Sequence, residues 1–176
     1  DIVGTAGINE LKLRLKEIKE KENIDFTIVN AENSAEGMGI TEKNFKDITA
    51  LGVDVVTMGN HTWGKKDIFK FIDDPRIIRP ANYPEDVVGN GYGIYECQGR
   101  KIGVINLIGR VDINVLSENP FIAVEKIIAG NVEEVDVGKV NDTYFINVLS
   151  AGMFSSTSYK TDKRLKEMLG HASYFI

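Results

Sequence analysis

A 176-residue chain with 43% hydrophobic and 27% charged residues has the composition of a globular protein, with room for one domain or two small ones. Its net charge of −5 argues against an extended nucleic-acid-binding surface but does not exclude a phosphate substrate, because bound metals can supply positive charge. Cys97 is the single cysteine, which excludes an internal disulfide, and with no membrane-spanning run and no signal sequence before Asp1 we expect a cytoplasmic protein.

Predicted helices and strands alternate in the first third of the chain. Apolar residues at helical spacing predict a helix over residues 8–22, and Thr41 is placed to cap a second helix near 41–51. Short apolar runs predict strands over 24–29 and 53–58. This alternation is typical of a parallel sheet, in which ligands bind at the carboxyl ends of the strands.

The remainder of the chain is predicted to contain hairpins and short helices. Three prolines, at 75, 80 and 84, predict a loop region. Around it we expect a short helix over 67–73, a hairpin over 93–108 with a turn at Gln98-Gly99-Arg100, a helix over 121–129, a second hairpin over 133–149 and a last helix ending at Leu169.

Polar residues follow both predicted strands of the first third. Glu32 and Asn33 come after the first strand, Asn60 and His61 after the second, and Asp1 begins the chain. Carboxylate and amide oxygens suit Mg, Mn or Fe, and two such metals polarise a phosphoryl group and deprotonate a bound water. His61 is placed to protonate a leaving alkoxide, so these residues form a candidate phosphoesterase site.

Each candidate also has a structural explanation that the sequence leaves open. Asp1 is a chain terminus whose α-amino group would compete with a metal, and Glu32 and Asn33 are also typical of a solvated loop. Asn60 and His61 are also suited to capping the next turn.

Aromatic residues and the second histidine are interpreted as structural. Trp63 and Phe69 are expected to be packing residues rather than substrate-stacking residues. His171 follows a predicted helix, where the helix dipole alone favours an imidazole.

A set of motifs, in this order and spacing, resembles one protein family. They include Asp1-Ile2-Val3-Gly4, Ala31-Glu32-Asn33, Gly37-Met38-Gly39-Ile40-Thr41, Gly59-Asn60-His61-Thr62-Trp63 and Arg79-Pro80-Ala81-Asn82-Tyr83-Pro84. The family is the calcineurin-like bacterial metallophosphoesterases of the YmdB type, described as 2′,3′-cyclic-nucleotide phosphodiesterases, and the resemblance covers roughly residues 1–121.

This resemblance implies an α/β fold, a partial metallophosphoesterase-like α/β sandwich with β-hairpins toward the C-terminus. It implies a dinuclear metal centre with Asp1, Glu32 and Asn60 as metal ligands, Asn33 as a substrate-binding residue and His61 as the catalytic histidine. The substrate it implies is a small phosphodiester such as a cyclic nucleotide.

Several features of the family are missing from this sequence. The family takes further metal-ligand histidines from later loops, whereas this sequence has only His61 and His171, and neither a first strand before Asp1 nor a second layer of the sandwich is present. We therefore expect the divalent metal (Mn, Fe or Mg) to be weakly bound or lost, and phosphodiesterase activity to be impaired.

The end of the chain resembles a different family. Residues of about 120–176, including Asn147-Val148-Leu149-Ser150-Ala151-Gly152-Met153-Phe154, resemble part of the bacterial diacylglycerol-kinase-like lipid kinases. Because that family's nucleotide-binding Gly-Gly-Asp-Gly motif is absent, no kinase activity is implied.

Together the two resemblances predict a chimera, with segments 1–121 and 122–176 packed as one domain. The alternatives to an impaired phosphoesterase are a non-catalytic folded chimera or fragment, and a lipid-kinase-related binding module. The sequence leaves open a homo-oligomer.

Overall fold

The computed structural model describes residues 1–111, 113, 115–130, 138–140 and 143–145, with side chains described as far as residue 130. The chain divides into two compact units, Asp1–Asp136 and Val137–Ile176. Among the described residues, no helix combines the length and the apolar composition that crossing a membrane requires. The predicted last helix lies outside the described residues. The boundary near residue 121 between two segments of different ancestry remains a prediction.

Three parallel strands form the centre of the first unit. They are β1 (Ile28–Asn30), β2 (Val55–Thr57) and β3 (Ile77–Ile78), hydrogen-bonded in that order. The predicted parallel arrangement of the first two strands is confirmed. The third strand was not predicted, because two residues between Pro75 and Pro80 are too few to give a strand pattern.

Single-residue bridges extend the sheet at both edges. Val3 pairs in parallel with Asn33, and Asn90 pairs in parallel with Ile78. The first of these bridges brings the beginning of the chain beside the end of β1, which positions Asp1 for the site described below.

Two helices connect the strands. Helix α1 (Gly4–Glu22) begins four residues before the predicted start, and α2 (Glu42–Ala50) begins where it was predicted. The hydroxyl of Thr41 accepts a hydrogen bond from the Asn44 N–H, as an N-cap residue does, and Gly52 has the positive φ of 81° typical of a residue that ends a helix.

One face of the sheet is covered by these helices and by a short 3₁₀ helix (Lys66–Lys70). Apolar side chains from all these elements form one core, which includes Ile8, Leu15, Phe45, Ile48, Val56, Met58, Ile68 and Ile77. The predicted helix over 67–73 is therefore present in a shorter form.

A hairpin covers the opposite face of the sheet. Strands β4 (Tyr92–Cys97) and β5 (Arg100–Ile105) are antiparallel, and Gln98 and Gly99 between them both have positive φ, as a tight two-residue hairpin turn requires. The hairpin was predicted, and its inner side chains form a second core with the sheet through Phe26, Ile28, Val55, Ile78, Tyr95, Ile102 and Val104.

The remaining described elements lie toward the end of the chain. Helix α3 (Pro120–Gly130) agrees with the predicted helix and has Ala123 as its buried residue. In the second unit, β6 (Gly138–Val140) and β7 (Thr143–Phe145) are antiparallel, as the second predicted hairpin requires. Residues 141 and 142, the predicted turn, lie outside the described residues.

Candidate active site

The candidate residues meet at the carboxyl edge of the parallel sheet. Glu32 and Asn33 follow β1, and Asn60 and His61 follow β2. The amide N–H of Ile2 donates to the carbonyl of Asn30 over 2.9 Å, which holds Asp1 beside the same edge. The structure therefore brings together the two loops and the chain terminus that the sequence singled out.

Three of these side chains form a continuous hydrogen-bonded chain. Asn33 donates from Nδ2 to the Asp1 carboxylate over 2.8 Å, and its Oδ1 lies 2.7 Å from Nδ1 of His61. Because the Asn33 oxygen can only accept, His61 must donate from Nδ1. In the neutral ring the free lone pair is then on Nε2, so the network fixes the tautomer of the histidine.

The carboxylate of Glu32 lies in a space that is open because residue 59 is a glycine. Its Oε2 accepts a hydrogen bond of 3.1 Å from the backbone N–H of His61. A Cβ atom added at Gly59 would lie within 2.5 Å of the Glu32 carboxyl carbon and both oxygens. The carboxylate thus rests against the bare backbone of the second loop, which ties the two loops of the site together.

A buried network underneath holds that second loop in place. The carbonyl of Gly59 accepts hydrogen bonds from the Tyr83 hydroxyl over 2.8 Å and from the Thr62 hydroxyl over 2.6 Å. Both donors are buried, and burial raises the pKa of the Tyr83 hydroxyl above its usual value. Tyr83 lies in the motif Arg79–Pro84, but nothing in the sequence connected that motif with Gly59.

Asn60 differs from the other candidates. Its side chain is exposed and has no hydrogen-bond partner within the described part of the chain. It lies between Gly59 and His61, which both contact Glu32, so its amide oxygen remains available to a ligand near that carboxylate.

The donor set at this edge fits a single hard cation. Among the described residues, neither the Asp1 carboxylate nor the Glu32 carboxylate has a lysine or arginine partner. Carboxylate oxygens with the Asn60 amide oxygen are ligands that suit Mg or Mn. No group of three or more His, Cys, Asp or Glu side chains suited to a metal occurs in the described ranges.

Known proteins similar to this chain include phosphoesterases. The 2′,3′-cyclic-nucleotide 2′-phosphodiesterase of Bacillus subtilis (strain 168) is 44% identical over 130 residues, which are 73% of this chain and 49% of that protein. A putative phosphatase/phosphodiesterase of Mycoplasma pneumoniae is 35% identical over 134 residues, 73% of this chain and 48% of that protein. The chain thus spans about half the length of the curated relatives it matches.

Two solved structures share the fold. A hypothetical protein from Thermus thermophilus superposes with a TM-score of 0.70 at 27% identity, covering 74% of this chain and 51% of that one. A novel phosphatase from Mycoplasma pneumoniae superposes with a TM-score of 0.69 at 34% identity, covering 74% and 48%. The predicted α/β fold of metallophosphoesterase type is confirmed.

The second resemblance is also found. A diacylglycerol kinase of Staphylococcus saprophyticus is 35% identical over 78 residues, which are 43% of this chain and 24% of that protein. This partial match agrees with the predicted mixed ancestry. The profile of the family described as YmdB-like protein matches residues 1–148, which extends beyond the predicted limit of 121. On the fold, the site and this match together, the chain belongs to the YmdB-like protein family.

Proposed function

We propose that the protein is a metal-dependent phosphoesterase that hydrolyses small phosphodiesters such as cyclic nucleotides. The observation that carries this proposal is the hydrogen-bonded chain from Asp1 through Asn33 to His61, next to the seated Glu32 carboxylate. It is supported by the similarity to a B. subtilis 2′,3′-cyclic-nucleotide 2′-phosphodiesterase.

His61 is the proton donor in this proposal. Asn33 holds its Nδ1, so the proton that leaves a charged ring for the substrate comes from Nε2. Asn33 itself acts by orienting the ring, in addition to the substrate contact that the family resemblance implies. Asp1 restrains the amide of Asn33 and thereby keeps its oxygen directed at the histidine.

Asp1, Glu32 and Asn60 would hold the metal, as the sequence predicts. A metal bound there would polarise the phosphoryl group and lower the pKa of a bound water. The sequence has two histidines, and His61 is the one at the site among the described residues, so the oxygen ligands favour one weakly held Mg or Mn. We therefore expect an activity that is low and dependent on the metal concentration.

The leaving group provides the sharpest test. Hydrolysis is measured with Mn for a nucleoside 2′,3′-cyclic phosphate, whose alkoxide needs a proton, and for an activated 4-nitrophenyl diester, whose leaving group does not. His61→Ala should lower the first rate by about 10²- to 10⁴-fold and the second rate much less. His171→Ala is the matched control, and its rates should equal those of the wild type.

Two results would contradict the proposal. One is a purified protein that contains no metal and hydrolyses neither diester; the other is an unchanged cyclic-phosphate rate in His61→Ala. A cooperative thermal transition without any response to Mn would then favour the non-catalytic chimera.

A further inference from the structure

Three apolar side chains cluster beside the candidate site. Met38 follows the Glu32 loop, Trp63 follows His61, and Phe69 lies on the 3₁₀ helix that comes next; we call them the apolar rim. The exposed fractions of Met38 and Phe69 are 52% and 58%, while Trp63 is half-buried against the core. The rings of Trp63 and Phe69 are stacked, with centroids 5.5 Å apart and an angle of 13° between their planes.

Backbone hydrogen bonds fix the apolar rim to the site residues. Gly37 and Gly39, on either side of Met38, donate to the carbonyls of Asn33 and Glu32 over 3.0 and 2.6 Å. On the other loop, Gly64 donates to the carbonyl of His61 over 2.9 Å. Since two residues span at most about 7 Å of extended chain, the backbone of Trp63 lies within that distance of His61.

The two loops also contact each other closely. A Cβ atom added at Gly64 would lie 2.7 Å from Cγ of Met38, and one added at Gly39 would lie 2.8 Å from the backbone nitrogen of Lys65. Met38 is therefore held against the loop that carries Trp63. The apolar rim is a preformed surface, which binds a flat ligand with little loss of conformational entropy.

Core packing explains only part of this arrangement. The interpretation of Trp63 as a packing residue agrees with its contact to the core, but it does not account for Phe69, which is 58% exposed. Three side chains are also too few for a protein partner, since a stable protein interface buries about 800 Å² on each side. A planar heteroaromatic ring has the flat face that exposed aromatic side chains bind by stacking.

We propose that the apolar rim stacks on the nucleobase of a nucleotide substrate, so that the site selects nucleoside phosphodiesters over phosphodiesters without a base. The inference rests on the proposed phosphoesterase function for the position of the phosphate. Aromatic side chains bind every base through its π face, so we expect little discrimination between purines and pyrimidines. Met38 adds a polarisable, adaptable contact at the edge of the ring.

Trp63 is the single tryptophan of the chain, so its fluorescence reports from the apolar rim itself. Titration in metal-free buffer with adenosine 2′,3′-cyclic phosphate should give saturable quenching, whereas ribose 2,3-cyclic phosphate should give none. Phe69→Ala and Phe69→Leu should each raise the dissociation constant of the nucleotide about 5-fold or more, because both remove the ring. Phe69→Tyr should restore the affinity.

The matched control is Leu13→Ala, which removes another exposed apolar side chain, 73% exposed on α1, and should leave the dissociation constant unchanged. The inference is overturned if both phosphates quench equally, if the nucleotide does not bind, or if Phe69→Leu binds like the wild type. It is also overturned if Phe69→Ala alters the sedimentation coefficient and not the affinity, which would identify a contact between copies. If quenching depends on the base but the protein hydrolyses neither diester, the phosphoesterase proposal fails and the inference about base binding stands.

Discussion

Gly59 determines where the Glu32 carboxylate lies, because glycine has a hydrogen atom where every other residue has a Cβ. The carboxylate occupies space that any Cβ at position 59 would fill, and the same glycine presents its carbonyl to two buried hydroxyls below. Gly59 therefore leaves space for the Glu32 carboxylate and is itself held by the hydroxyls of Thr62 and Tyr83.

Gly59→Ala should displace the Glu32 carboxylate and destabilise the protein by about 1–3 kcal/mol, the usual cost of an overpacked site. Phosphodiesterase activity should fall together with stability, because Glu32 loses its hydrogen bond from His61. Denaturant unfolding and the Mn-dependent rate measure the two effects. Gly109→Ala is the control, since no atom lies within 4 Å of its added Cβ, and equal losses in both variants would contradict the argument.

Tyr83→Phe removes a buried hydroxyl and should cost about 0.5–1.5 kcal/mol at neutral pH. Burial raises the pKa of Tyr83, while an unfolded tyrosine ionises near pH 10. The unfolded state thus loses its proton first, so the contribution of Tyr83 is complete below about pH 10 and declines as the pH rises toward the folded pKa.

Urea unfolding between about pH 9 and 11 should therefore show a shallower loss of stability in Tyr83→Phe than in the wild type. Some slope should remain, because burial also raises the pKa of Tyr95, which the variant retains. Parallel curves for the two proteins would exclude Tyr83 as a source of alkaline destabilisation.

The sequence singled out the residues of the candidate site, but it could not predict how their side chains contact one another. Glu32, Asn60 and His61 stand out by residue type and by their position after strands, and Asp1 stands out through the family resemblance. That Asn33 connects Asp1 to His61 depends on the bridge between Val3 and Asn33, a contact between segments some thirty residues apart in the sequence. Sequence patterns carry local periodicity and not such contacts.

Among the elements, helices α1 and α2 are joined at their surface by charged side chains. Asp47 on α2 accepts hydrogen bonds from Lys12 of α1 over 2.8 Å and from Lys43 over 2.9 Å. These hydrogen bonds lower the pKa of Asp47 to about 2.

Asp47→Asn should make the free energy of unfolding less dependent on pH in acid. Because the folded pKa is below the unfolded value near 3.9, the stabilisation is present above about pH 4 and is lost as the pH falls toward 2. Urea midpoints at a series of pH values in that window should fall more steeply for the wild type. The difference should shrink at high salt, because the pair is exposed and screened; a salt-independent difference would argue against this origin.

Asn82 connects three loops from a fully buried position. Its Nδ2 donates to the carbonyls of Ile108 and Glu118 over 2.8 and 2.9 Å, and its Oδ1 accepts from the N–H of Ile108 over 2.9 Å. This amide therefore holds the region between β5 and α3 together with backbone hydrogen bonds, among them those from the Ala81 N–H to the Asn106 carbonyl and from the Glu118 N–H to the Asn82 carbonyl, both over 2.7 Å.

Asn82→Ala should destabilise the protein by about 2–4 kcal/mol, because buried backbone groups lose their partners. Asn82→Asp should be nearly as severe, since a carboxylate accepts from Ile108 but cannot donate to the two carbonyls. Denaturant unfolding and amide exchange at Ile108 measure the effect. Asn119→Ala, which removes an exposed cap at Phe121, should cost less than about 1 kcal/mol; a similar loss in both alanine variants would contradict the role of Asn82.

Elements defined by local chemistry were predictable, whereas strand bounds that depend on distant contacts were not. Thr41, Gly52 and the Gln98-Gly99 turn were assigned correctly, because a cap or tight turn depends on adjacent residues. The first strand was predicted over 24–29 but begins at Ile28. Phe26 instead contacts Tyr95 of the hairpin, a tertiary contact that the alternation pattern does not contain.

At the scale of the whole molecule, metal binding and folding are expected to be coupled. Mn should raise the midpoint of thermal unfolding, with about 2.7 kcal/mol of stabilisation when its concentration is 100 times the dissociation constant. Glu32→Gln should abolish most of this increase. Glu36→Gln, on the same loop but exposed and bonded to Thr5, should keep it, and an equal response in both variants would rule out Glu32 as a ligand.

The order of the parallel sheet has a consequence for how the protein is made. From one edge to the other, the sheet contains Val3, β1, β2, β3 and Asn90, which is also their order along the chain. Among the described residues, each strand of this sheet therefore pairs with a segment that has already been synthesised. The sheet can assemble on the ribosome one strand at a time, with each new strand added at the same edge.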